Sequence, residues 1–106
     1  MPTVLEIQRH VEALGNRITN LQTTVLLRDL ANCADTIRQP VLAVWLRDLA
    51  ETHTSATIGP NAGKMHERIA PKLRQLSLQF PTDSTEALIC AVAHQILAPW
   101  AKLAEG

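Results

Sequence analysis

Apolar residues near the start of the chain recur at Val4, Ile7, Val11, Leu14, Ile18, Leu21 and Val25, with spacings of 3, 4, 3, 4, 3 and 4. The first series, Val4, Val11, Ile18 and Val25, is entirely β-branched; the second is Ile7, Leu14 and Leu21. That is close to the pattern preferred where one helix packs along another. Thr3 followed by Glu6 has the form of a capping box, which places the start of the helix. A second apolar stripe, Leu26, Leu27, Leu30 and Ala34, takes over after Val25. The pattern predicts one helix from Thr3 to about Ala31, with Asn32 as the stop. At 1.5 Å per residue it forms a rod of roughly 43 Å. Gly15 lies inside it and weakens it by about 1 kcal/mol relative to alanine.

Asp35 or Thr36 is placed as the cap of a second helix, with Pro40 in its first turn, where a missing donor costs least. Its body, Val41 to Leu46 and then Leu49, is apolar around most of its circumference; Arg47, Asp48 and Glu51 mark the solvent side. Residues 52–63, rich in Thr, Gly, Ser and Pro, read as a long loop. A third helix carries Met65, Ile69, Leu73, Leu76 and Phe80 along one face, with Pro71 kinking or dividing it and Pro81 ending it. Asp83 and Glu86 are placed as the capping pair of a fourth helix, which carries Leu88, Ile89, Val92, Ile96, Leu97, Trp100 and Leu103 and bends at Pro99. The expected fold class is all-α: a small antiparallel bundle of four or five helices, with one long N-terminal helix, in a single domain over residues 1–106.

Ten basic and ten acidic residues balance, so no global field draws the chain to nucleic acid or membrane. The 46% apolar content is dominated by Leu, Ala, Val and Ile, and no run alternates as a strand does. Cys33 and Cys90 read as buried thiols in a reducing compartment rather than a disulfide framework. No basic stretch followed by an apolar core opens the chain, so a signal peptide is not expected. The longest apolar segment, residues 87–104, is interrupted by His94, Gln95, Pro99 and Lys102 and is a poor membrane span. The expected location is cytoplasmic.

Few residues are arranged for chemistry. Gly59-Pro-Asn-Ala-Gly63-Lys64 falls short of a phosphate-binding loop: three residues separate the glycines instead of four, and Met65 follows the lysine. His10, His53, His66, His94 and the two cysteines form no local ligand pair. His94, set among apolar residues, reads as a core or interface histidine. Ser55, Ser77 and Ser84 lack a nucleophile-elbow context. The chain is therefore read as non-enzymatic, with no cofactor and no metal. The segment Lys64 to Arg74 holds Lys64, Arg68, Lys72 and Arg74 against one acid. A basic helix following a helix and a turn outlines the alternative reading, a small DNA-binding regulator.

The preferred reading is contact. A rod of that length outreaches its neighbours, and two further helices are apolar on more than one side. Surplus apolar surface of this kind marks protein interfaces. The flanking positions Thr3, Gln8, His10, Gly15, Arg17, Gln22 and Thr24 do not set opposite charges across a parallel pair, which favours packing within a bundle closed by a second subunit. Val4, Ile7, Val11, Leu14, Ile18, Leu21, Val25, Trp45 and Trp100 are the candidate contact residues. The heptamer Pro40-Val-Leu-Ala-Val-Trp-Leu46 resembles a short stretch of the small helical Rubisco assembly chaperones, which are homodimers. The likeness covers seven of the 106 residues, and the chain is not assigned to that family. The expected function is a homodimeric protein–protein interaction module acting as adaptor, assembly chaperone or regulatory subunit, which also binds another protein.

Overall fold

The expected first helix is two helices. In the computed structural model, which describes residues 2–56 and 71–105 (side chains of 16, 20, 52–56 and 100–105 excepted), α1 covers Val4–Leu14 and α2 covers Asn20–Thr36. Between them Gly15 takes φ 53 and ψ −125, a 3-10 turn spans Gly15–Arg17, and Ile18 is extended. The reason is local. Glycine enters the positive-φ region without a Cβ penalty. Thr19 then opens α2 with a complete capping box: the Gln22 amide donates to Thr19 Oγ1 at 3.2 Å, and the Thr19 amide donates to Gln22 Oε1 at 2.9 Å. Donors left over at the new helix start are thus satisfied. The turn carries α1 back against α2 and α5, so that Cys33 Sγ, near the end of α2, donates to the Pro2 carbonyl at 3.4 Å. Thr3 caps α1 as expected, its Oγ1 accepting from the Glu6 amide at 3.2 Å.

The second expected start also moves. Asp35 and Thr36 belong to the last turn of α2, and α3 begins at Pro40, covering Pro40–Ala56. The link closes by the Schellman pattern, with the Gln39 amide donating to Ala34 O at 2.9 Å and the Arg38 amide to Asp35 O at 3.0 Å. Arg38 holds φ 61, a position that usually falls to glycine. Proline is well placed at the first helical position, where its fixed φ fits and its amide is not needed. Arg47 of α3 ties the pair together from the side, reaching Asn32 Oδ1 at 3.1 Å and forming an ion pair with Asp35.

Residues 52–56, expected as loop, are the end of α3. The rest of that loop, with Met65 and Ile69, lies outside the described residues. The next helical stretch, α4, is described over 71–77. α5 covers Thr85–Glu105 and runs through Pro99. Its cap is Ser84 rather than Asp83: Ser84 Oγ accepts from the Ala87 amide at 3.2 Å. Gln39 Nε2 meets Glu86 Oε1 at 3.5 Å, joining the α2–α3 link to the start of α5.

Every regular element among the described residues is helical, and the bundle is compact, with a radius of gyration of 12.8 Å. Its core joins Ile7 of α1, Leu27 and Leu30 of α2, Leu46 of α3, Leu73 of α4, and Ile89, Val92 and Ile96 of α5, all fully buried. Burying side chains of this size stabilises by about 1.5–3 kcal/mol each.

Candidate interaction surface

The turn at Gly15 divides the candidate contact residues. Val4, Ile7, Val11 and Ile18 lie in this chain's own core, and Leu14 packs against it partly buried. They serve the fold and are not an open surface. Leu21 and Val25 continue the same spacing yet are exposed, because α2 turns Leu26, Leu27, Leu30 and Ala34 inward instead. The surplus length of a single rod therefore does not exist.

A different face stands open. On α3, Leu42, Ala43, Leu46, Leu49 and Ala50 are buried, whereas Val41 is 79% and Val44 65% exposed. Trp45 lies between them and the core, half-buried and packed against it. The spacing 41, 44, 45 puts the three on one helical face. The remaining described large apolar residues at the surface are Leu5 on α1 and Leu78 just after α4. α5, expected to be apolar on more than one side, spends Ile89, Cys90, Val92, Ala93, Ile96 and Leu97 on the core. Its His94, expected in a core or an interface, is exposed: position 94 falls on the side away from Val92, Ala93 and Ile96. The Trp100 side chain lies outside the described residues.

Of the basic residues, Lys72 and Arg74 are exposed on either side of buried Leu73. Lys64 and Arg68 lie outside the described residues, as does the glycine-flanked loop 59–64.

Both thiols lie inside the bundle. Cys33 and Cys90 are free and buried. Burial, with Asp29 nearby, raises the Cys33 pKa, and burial pushes Cys90 up to about 11; both therefore stay protonated near neutral pH, and the thiolate is the reactive form. An open depression of about 330 Å³ at the start of α5 is lined by Thr82, Asp83, Ser84 and Leu88 among others. The Ser84 hydroxyl there is engaged in capping and in a 2.6 Å bond to Pro81 O. Among the described residues no cluster of His, Cys, Asp and Glu is able to hold a metal ion, and no helix is long and apolar enough to cross a membrane.

No protein-family model matches the chain, and comparison with curated proteins and with solved structures finds no significant match.

Proposed function

We propose that this chain is a non-enzymatic helical interaction module that works as a homodimer, in the role of adaptor, assembly chaperone or regulatory subunit. One observation carries the reading: Val41 and Val44, 79% and 65% exposed, stand beside half-buried Trp45 on the outer face of α3. Apolar side chains held in water on a rigid helix gain free energy when another surface covers them. A tryptophan partly anchored in its own core, with an open flank, is the kind of residue on which contact energy concentrates. The same face on two copies can meet across a two-fold axis, each valine pair opposite the partner's tryptophan. A second protein would meet whatever part of the face the dimer leaves free. Two buried, unbridged thiols support a cytoplasmic setting.

Sedimentation at micromolar concentration tests this. The expected species is twice 11.7 kDa, and Val41→Glu with Val44→Glu returns it to monomer. A clean monomer in the wild-type chain overturns the homodimer.

The second reading, a DNA-binding regulator, draws on exposed Lys72 and Arg74. It requires duplex binding that weakens steeply with salt and is reduced by Lys72→Ala and Arg74→Ala. Absence of binding to any duplex at low salt removes it.

A further inference from the structure

The seven-residue spacing runs unbroken through a turn that the chain does not need for that spacing. Val4 to Leu14 precede the turn, Ile18 lies in it, and Leu21 and Val25 follow it, still in 3-4 register. A chain that only ever folds back at Gly15 gains nothing from keeping phase across the bend. We infer that the Gly15–Thr19 turn is a hinge: α1 and α2 open into one continuous helix, and the opened form is held by a second copy whose α1 fills the vacated site. This rests on the self-association reading above and adds α1 exchange to the α3 contact within the same dimer.

The geometry supports exchange in three ways. First, at 3.6 residues per turn a straight helix over residues 4–36 lines up Val4, Ile7, Val11, Leu14 and Ile18 with exposed Leu21 and Val25. That stripe faces away from Leu27, Leu30 and Ala34, which hold α2 to the core. An opened α1 therefore leaves its own chain's core altogether. Second, an opened copy uncovers the site that α1 occupied on α2 and α5. A second opened copy restores each lost contact, because the exchanged element is identical. The straightened segments then bring Leu14, Leu21 and Val25 of two copies onto one apolar seam. Third, no side chain packs around the turn at its apex, which is held by the positive-φ glycine, its amide bond to the Val11 carbonyl and a long 3.4 Å bond from Arg17 Nη2 to the Ala13 carbonyl. Gly15 has φ 53, and a Cβ built there meets nothing within 4 Å. An alanine is thus free of side-chain clash but strained in the turn and favoured in a helix.

Two substitutions push the hinge in opposite directions. Gly15→Ala favours the straight helix in both copies, and the dimer association constant is expected to rise at least about tenfold. Asn20→Pro places proline at the first position of α2, after a Thr19 that is already extended at ψ 167, and so suits the folded-back form. In a continuous helix the same proline is interior, and exchange is expected to fall about a hundredfold or more.

A cross-link reads the exchange directly. Cys33 Sγ lies 3.4 Å from the Pro2 carbonyl, so Pro2→Cys in a Cys90→Ser background brings a second thiol into the neighbourhood of Cys33. After oxidation, the folded-back form yields a bridge within one chain and the exchanged form yields covalent dimers. Covalent dimers that increase with Gly15→Ala and vanish with Asn20→Pro are the expected result. Dimers in sedimentation with bridges only within chains overturn the exchange and leave the α3 contact standing. A Gly15→Ala chain that stays monomeric overturns the exchange, whatever the wild-type chain does.

Discussion

Two stretches of the same apolar seam differ in burial. Val4, Ile7, Val11 and Ile18 are at most 8% exposed, while Leu21 and Val25 are 74% and 46% exposed. Side-chain chemistry does not separate them, since both stretches are aliphatic and helix-compatible. A five-residue turn does. After Thr19 caps α2, the helix enters at a new rotation about its own axis, and Leu26, Leu27 and Leu30 take the inward face. Periodicity reports which residues share a face on an unbroken helix. It carries no information about where the helix is interrupted, and each interruption resets the phase between face and core.

Truncating the two stretches in parallel gives the largest contrast. In the dilute monomer, Ile7→Ala, at a site 2% exposed, is expected to lower stability by about 3 kcal/mol, and Leu21→Ala to stay within about 0.5 kcal/mol of wild type. Urea midpoints at unchanged slope measure both; equal losses would mean that the two stretches share one buried face after all. The turn itself comes next. Thr19→Ala removes the Oγ1 that accepts from the Gln22 amide and is expected to cost about 1 kcal/mol. A neutral result would show that the cap does not hold the phase reset. The smallest effect belongs to the other link. Arg38→Gly relieves a φ of 61 but adds freedom to the unfolded chain, for a net gain of roughly 0.5 kcal/mol. A loss there would show that the arginine side chain contributes more to the link than its backbone strain costs.

The helices themselves were legible in the residues. Thr3 and Glu6, the apolar runs and the prolines mark elements that exist, and the all-α class follows from them. The break at Gly15 was legible too, in principle. A glycine followed by Thr19-x-x-Gln22 is a stop and a start, and the capping signature lies ahead of an apolar run. It was masked because the seam stays in register across it. The position of the α2–α3 link was not legible. Asp35 and Thr36 are good caps, but the chain instead bends at Arg38, a residue with no local preference for a positive φ. At the start of α5, Asp83 and Ser84 both have capping side chains, and only the geometry shows which one accepts. The candidate surface was half-legible. The segment from Val41 to Leu46 reads as apolar all round, but which side remains in water depends on where α2 and the rest of the core lie.

The amino-acid pattern by itself determined that this chain is helical, because local propensity, caps and apolar spacing act within a few residues of each other. Tertiary structure alone decided which apolar residues become core and which become surface. Burial is a competition among all the faces of all the helices for one small interior. Its outcome, Ile7 inside and Val41 outside, depends on distances between segments far apart in the chain and on the phase that each turn imposes.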